Sequence, residues 1–196
     1  MATELQKDTK MDEPTYWQAL GQFIETYAHT EAVLFETLAS YTDIPIEVAR
    51  AVFSGVRTDA SMDFIRRIIA VNGLETEKHT DPGELFEHLK FITDLRNHVV
   101  HYRSFLTDDS VRMASNITRA LSPEKIKELR VSAEILGKAT HDLEKIYAQL
   151  GMDILAPMLS LAQRARHLPV LNDAWLYKPP PNPQKKVRKS SRKDRN

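Results

Sequence analysis

The sequence predicts an all-α fold: a helical bundle of four to six helices followed by a disordered, Pro-rich, basic C-terminal tail. Three observations carry this. Only 6 of the 196 residues are glycine, while 42% are hydrophobic and 28% charged, a balance suited to packed helices rather than a turn-rich β fold. Apolar residues recur at intervals of three and four through most of the chain. Beyond residue 168, prolines and then Lys, Arg and Ser replace the apolar side chains that a packed segment needs. The length suits one domain, and the expected division is a disordered arm at 1–13, a helical bundle domain at 14–167 and the tail at 168–196.

Each element follows from local chemistry. Pro14 can open a first helix, because the missing N–H would be unpaired there anyway. Trp17, Leu20, Phe23, Ile24, Tyr27, Leu34, Phe35 and Leu38 then mark an apolar stripe to about Ser40. After a turn at 41–44, capped by Thr42 or Asp43, Pro45 opens a shorter helix with Ile46, Ala49, Val52 and Phe53 inward, stopping before Gly55. A third helix starts near Thr58 or Asp59, buries Phe64, Ile65, Ile68 and Ile69, with Met62 beside them, and ends at Asn72-Gly73. A polar loop covers 75–80. Asp81-Pro82-Gly83-Glu84 is a strong start, with a capping aspartate, a first-position proline and a glutamate three residues after the cap. That fourth helix carries Leu85, Phe86, Leu89, Ile92, Leu95 and Val99 inward and is expected to end by Phe105. Alternation at Val111, Met113 and Ile117 suggests a short extended segment packed over the helices. Ser122-Pro123-Glu124 starts one or two helical turns. Ser132 caps a longer helix bearing Ile135, Leu136, Leu143, Ile146, Tyr147 and Leu150, which Gly151 and Pro157 are expected to break or kink. Trp175, Leu176 and Tyr177 are bulky enough to anchor the start of the tail on the body or on a partner.

Composition excludes several functions. With no cysteine, disulfide frameworks, thiolate metal sites and cysteine nucleophiles are ruled out. No run approaches the ~18 apolar residues of a membrane span, and the first thirteen residues lack the apolar core of a signal peptide. The expected setting is the cytoplasm, without membrane association. The zero net charge hides a division: residues 178–196 hold eight Lys or Arg against one Asp, which leaves 19 basic and 26 acidic residues in the remainder. Lys185, Lys186, Arg188, Lys189, Arg192 and Lys193, with Arg103, are candidate nucleic-acid contacts, since cations on phosphates release counterions. A solubilising terminus has the same composition.

The chemistry gathers in 94–103, where an arginine, an amide and two histidines share one helix. Histidine titrates near neutrality and can move a proton to or from an oxygen. Arginine stays charged and grips two phosphate oxygens at once. RNA brings its own nucleophile, the 2′-hydroxyl, so one histidine and one cation suffice to cut it without metal. At about 100° per residue, Asn97 and His101 lie about 40° apart, but Arg96 is about 140° from His101. Arg96, Asn97 and His101 are therefore expected to meet only if the helix bends or a second copy completes the site.

Arg96-Asn97-His98-Val99-Val100-His101 resembles the R-N-x-x-x-H form of the motif of HEPN domains, small α-helical bundles of prokaryotic toxins, antiphage systems and RNA-processing nucleases. The likeness in helix pattern covers roughly 14–150; the motif itself is six residues. What the resemblance implies is a metal-independent RNA endonuclease, acting as a homodimer on RNA with no cofactor, as a toxin or antiphage defence effector. Arg96 would contact the scissile phosphate, His101 would be the acid or base, and Asn97 would support them. A protein inhibitor or antitoxin is a partner that the resemblance leaves unspecified. Members paired with a nucleotidyltransferase antitoxin carry a tyrosine two places after the histidine. Here Arg103 stands there and the tyrosine is Tyr102, so control by tyrosine adenylylation is not implied.

Other readings stay open. Arg96 can pair with a carboxylate while His101 caps or packs on a neighbouring helix. Asp94, His98 and His101, at i, i+4 and i+7, can approach one metal ion, although no fourth ligand is visible; no metal is expected. The alternative function is a non-catalytic helical dimerisation or interaction module with a nucleic-acid-binding basic tail.

Overall fold

A 30-residue helix, α1 (Glu13–Thr42), forms the spine of the molecule. In the computed structural model, which describes residues 13–42, 44–72, 82–107, 111–155 and 170–180, four further helices and a small sheet follow. They are α2 (Ile46–Phe53), α3 (Thr58–Asn72), α4 (Pro82–His101) and α5 (Ala133–Leu155), with strands β1 (Arg103–Leu106), β2 (Arg112–Ser115) and β3 (Glu128–Arg130). The protein is thus mainly helical, as its sequence predicts. Of the arm expected at 1–13, Glu13 is already the first residue of α1; residues 1–12, the Asp43 cap, the Asn72-Gly73 stop beyond Asn72, the loop at 75–80, the Asp81 cap, Pro157, the boundary at 167/168 and the basic tail beyond 180 lie outside the described residues.

The core forms where the apolar stripes meet. Phe23, Tyr27, Leu34 and Leu38 of α1 pack with Leu136, Leu143, Ile146 and Leu150 of α5. The two helices run in the same direction, since the His29 and Tyr147 rings lie 6.5 Å apart and Val33 faces Gly151 one turn further on. Leu85, Phe86, Leu89, Ile92 and Leu95 of α4, and Met62 and Ile65 of α3, close the remaining side. The Arg66 guanidinium lies 5.2 Å from the Phe86 ring centre and joins α3 to α4.

Several local expectations are corrected. Thr42 is the last residue of α1, not a cap for α2, and its hydroxyl donates back to the Ala39 carbonyl. Pro45 stands just outside α2, where its carbonyl accepts the first helical N–H groups of Val48 and Ala49. Only Ala49 of α2 is fully buried, and Ile46 and Val52 are exposed, as are Trp17 of α1 and Phe64 of α3. Gly55 follows with φ +78°, the left-handed conformation that ends the α2 turn without steric cost. Gly151 does not break α5, which continues to Leu155; the glycine is itself buried and faces Val33 of α1. The expected turn at 122–124 is a single 3-10 turn, Pro123–Lys125. Ser132 caps α5 as expected, its Oγ accepting the Ile135 N–H at 3.2 Å.

The sheet is antiparallel in the order β1-β2-β3, with Arg103 opposite Ser115 and Met113 opposite Arg130. It replaces the expected last turn of α4. The helix closes with the Tyr102 N–H on the His98 carbonyl at 3.2 Å, and the next four residues pair with β2 instead. The expected extended segment exists as β2, but its inward face is the opposite one. Arg112 and Ala114 are buried, at 6% and 0% exposure, whereas Ile117 is 55% exposed. A charged residue can face inward because Arg112 Nη2 donates to Glu13 Oε1 at 3.0 Å and Nη1 to Ser104 Oγ at 3.3 Å. The guanidinium also lies 4.4 Å from the Tyr16 ring centre. Burial pushes the Tyr16 phenol above its ordinary pKa, and the Arg112 charge opposes the rise.

Residues 170–180 dock on the body, as their aromatic residues suggest. Trp175 stacks on His88 with ring centres 4.2 Å apart, donates from Nε1 to Glu84 Oε1 at 2.8 Å and lies under the Lys145 ammonium. Lys145 also donates to the Asp173 carbonyl. Beneath them is Asp142, fully buried, whose carboxylate accepts from His88 Nε2 at 2.9 Å, from the Leu176 N–H at 2.9 Å and from the Tyr177 N–H at 2.7 Å. Burial raises the Asp142 pKa, but the His88 ring, the two backbone N–H groups and His141 outweigh it and hold the carboxyl below the ordinary aspartate value. Tyr177 is buried; burial, with Asp94 adding its charge, pushes its phenol up to about 12.

Two stability changes follow from this packing. Asp142→Ala leaves His88 and the Leu176 and Tyr177 N–H groups without their acceptor and lowers unfolding free energy by about 3 kcal/mol or more in urea melts at neutral pH. Since the folded-state pKa is depressed, this stabilisation is present above about pH 3.9, the unfolded aspartate value, and is lost as pH falls through the folded value; wild-type and variant midpoints therefore converge in acid. Gly151→Ala adds a methyl that would meet Val33 Cγ2 at 4.0 Å, an ordinary contact, and raises stability by about 0.5–1 kcal/mol by removing a helix-interior glycine.

Candidate functional site

The last two turns of α4 carry Arg96, Asn97 and His101 to the edge of a cleft of ≈ 980 Å³ between α1, the α2–α3 turn and α4. The single chain brings all three together. Arg96 Nη1 lies 3.2 Å from His101 Nε2 and donates to Asn97 Oδ1 at 3.2 Å. The expectation that a bend or a second copy is needed to unite Arg96 with His101 is therefore overturned. Their Cα directions do diverge around the helix, but the arginine side chain is long enough to cross the last turn and reach the imidazole.

Tyr27 supports this arrangement from below. The Arg96 guanidinium lies 5.4 Å from the Tyr27 ring centre, close enough for a cation–π attraction. The ring is 3% exposed, and its hydroxyl lies 3.0 Å from both Thr58 Oγ1 and Thr93 Oγ1. Thr58 donates to Glu31 Oε1 at 2.8 Å, so the phenol donates to Thr58 and accepts from Thr93, whose proton is shared with the Leu89 carbonyl. Burial pushes the Tyr27 phenol above its ordinary pKa. Thr58 and Thr93 act against that rise, Glu31 adds to it and Arg96 opposes it.

The hydrogen-bond roles at the motif are fixed by chemistry. Arginine can only donate, so in this contact His101 Nε2 is the acceptor and its lone pair points at Arg96. His101 is exposed at the cleft edge while Arg96 and Asn97 are half-buried. The alternative in which Arg96 pairs with a carboxylate and His101 is packed away is corrected: among the described residues, Arg96 is bonded to an amide and an imidazole. The metal alternative is corrected as well. His98 Nδ1 donates to the Asp94 carbonyl of its own helix at 2.7 Å and packs edge-on against Tyr102. No three His, Asp or Glu side chains among the described residues converge to hold a metal ion.

The walls of the cleft are cationic. Arg50, Arg57, Lys90, Arg96 and Arg119 line it against Glu31, Asp59 and Asp94. Arg57 pairs with Asp59 at 3.3 Å, but both side chains are largely exposed, so solvent weakens the pair. Of the other sequence candidates, Arg103 opens β1 opposite Ser115, and the structure describes its backbone only. Lys185, Lys186, Arg188, Lys189, Arg192 and Lys193 lie outside the described residues.

Sequence reasoning missed Tyr27, Thr58, Thr93 and the cations of the far wall. Tyr27 reads as one more apolar residue of the α1 stripe, and Thr58 as a helix start. The one available signal was Thr93, a hydroxyl one residue from the buried Ile92, on the face of α4 that turns toward α1. Comparison with protein-family models, with curated proteins and with solved structures finds no match to this chain.

Tyr27→Phe removes a hydroxyl whose two partners keep other hydrogen bonds, so it costs about 1 kcal/mol in urea unfolding. Tyr27→Leu also removes the aromatic surface beneath Arg96 and part of the core, and costs about 3 kcal/mol or more.

Proposed function

We propose that this protein is a metal-independent RNA endonuclease, in which Arg96 and His101 act together on one phosphodiester. The observation that carries the reading is the 3.2 Å approach of Arg96 Nη1 to His101 Nε2 at the open edge of a cation-lined cleft. The likeness of Arg96 to His101 to the HEPN motif supports it, and with it the placing of the protein among toxins or antiphage effectors.

The chemistry follows from the two side chains. In the free protein the His101 lone pair is engaged by Arg96. A bound phosphate, a stronger acceptor for the guanidinium than a neutral imidazole, draws Arg96 onto two of its oxygens and releases Nε2. His101 then takes the proton of the adjacent 2′-hydroxyl. The 2′-oxygen bonds to phosphorus, the bond to the 5′-oxygen breaks, and the leaving oxygen collects a proton from water or from the imidazolium. Arg96 stabilises the charge that accumulates on the phosphoryl oxygens. Asn97 Oδ1 holds the guanidinium in register. The products are a 2′,3′-cyclic phosphate and a 5′-hydroxyl.

A homodimer belongs to this proposal through the family likeness alone, because one chain already unites the pair. A second motif across a two-fold axis would add a second imidazole, able to serve as the acid.

The test is cleavage of RNA in EDTA. Purified protein produces 2′,3′-cyclic phosphate ends, and Arg96→Ala and His101→Ala each slow cutting by about 10²–10⁴-fold while melting like wild type. Cleavage that survives both substitutions overturns the reading. Salt-sensitive RNA binding without cutting under any condition would instead establish the interaction-module alternative.

A further inference from the structure

The cleft extends beyond the catalytic pair, and its cations extend with it. Along α4, Lys90, Asp94, Asn97 and His101 recur at i, i+4, i+7 and i+11, so they share one face that lines the cleft. Eleven residues of helix place Lys90 roughly 16 Å from His101 along the axis. Arg119 reaches the cleft from the sheet. Arg103, two residues after His101, pairs with Ser115, and the turn that follows β2 is closed by the Arg119 N–H on the Asn116 carbonyl at 2.8 Å. Because β2 runs antiparallel to β1, this turn carries Arg119 back beside the end of α4 and onto the cleft wall. Lys90 and Arg119 therefore enter the cleft from two different elements.

Among the described residues, Lys90 and Arg119 form no ion pair with a carboxylate, and both are exposed. A single phosphate at Arg96 requires neither of them. A length of roughly 16 Å exceeds one nucleotide, since stacked nucleotides advance about 3.4 Å each along a strand. The half-buried Tyr102, also on the cleft wall, presents an aromatic ring of the kind on which unpaired bases stack.

Resting on the ribonuclease reading above, we infer that Lys90 and Arg119 are phosphate-binding residues outside the Arg96–His101 pair, and that the substrate is a single RNA strand lying along the cleft. Strandedness follows from the attack geometry: the 2′-oxygen must line up with the leaving 5′-oxygen, which an unpaired nucleotide reaches freely and a base-paired one does not. Selectivity is then for unpaired segments of several nucleotides.

The experiment measures binding separately from cutting. A fluorescent single-stranded RNA of about twelve nucleotides is titrated with full-length His101→Ala protein over a range of salt concentrations. Lys90→Gln and Arg119→Gln, each added to that background, flatten the plot of log affinity against log salt by about 0.7, and together by about 1.4. Lys138→Gln, which removes an exposed α5 lysine paired with Glu134, leaves the slope unchanged. A duplex of the same length binds at least tenfold more weakly. An unchanged slope in the double variant, or equal binding of duplex and single strand, overturns the inference. Flattened slopes with no cutting by the wild type would keep the track and sink the ribonuclease reading; cutting that depends on His101 with unchanged slopes would do the reverse. Thermal melts matching the parent show that these surface substitutions act on binding and not on folding.

Discussion

The site depends on the hydroxyl of Tyr27. Buried in the main core, it ties α1 to α3 through Thr58 and to α4 through Thr93, so three helices share one polar junction. A buried phenol without partners would be costly; with two threonines it becomes a fixed point. The ring above it supports the Arg96 guanidinium, and so the packing of the bundle sets the height and orientation of the proposed catalytic cation. Core and site are one structure at this residue.

How much of this was legible in the sequence depends on the range of the forces involved. Helix starts at Glu13, Thr58, Pro82 and Ala133 are governed by prolines, caps and apolar periods within a few residues, and they fall close to where those signals put them. The end of α4 was read too late, because what stops it is pairing of Arg103 to Leu106 with a strand almost ten residues on. The face of β2 was misread for a related reason: Arg112 turns inward because Glu13, 99 residues earlier in the chain, and the Tyr16 ring beside it are there to receive it. Gly151 shows the converse, a weak local breaker overruled by burial. At the motif, residue types and their closeness along the chain were readable. Angular placement alone misjudged the reach of an arginine, and Tyr27 was hidden among apolar residues of equal size.

Two buried ionic centres hold the outer pieces of the chain to the bundle. Arg112 fastens the sheet to the first turn of α1 through Glu13 and Tyr16. Asp142 fastens residues 170–180 across α4 and α5 through His88 and two backbone N–H groups. Both satisfy a desolvated charge with several hydrogen bonds, the condition under which such burial is tolerated. The second attachment recognises main chain rather than side chains at Leu176 and Tyr177, so these two positions can vary in sequence without losing the carboxylate that holds them. Arg112 is less complete, since its Nε has no partner among the described groups, and the flanking aromatic faces supply what compensation there is.

That α4 ends at His101 has an electrostatic consequence. The peptide dipoles of its 20 residues sum to a partial negative charge at that end, equivalent to about half an elementary charge. Proteins that hold phosphate by backbone alone use the opposite end of a helix. In the proposed reaction an incoming phosphate would meet an adverse field from the last carbonyls, and side-chain charge has to reverse it. Arg96, Arg57 and Arg119 line the same cleft, so the proposed anion capture depends on side chains that single substitutions can remove, rather than on a backbone that they cannot.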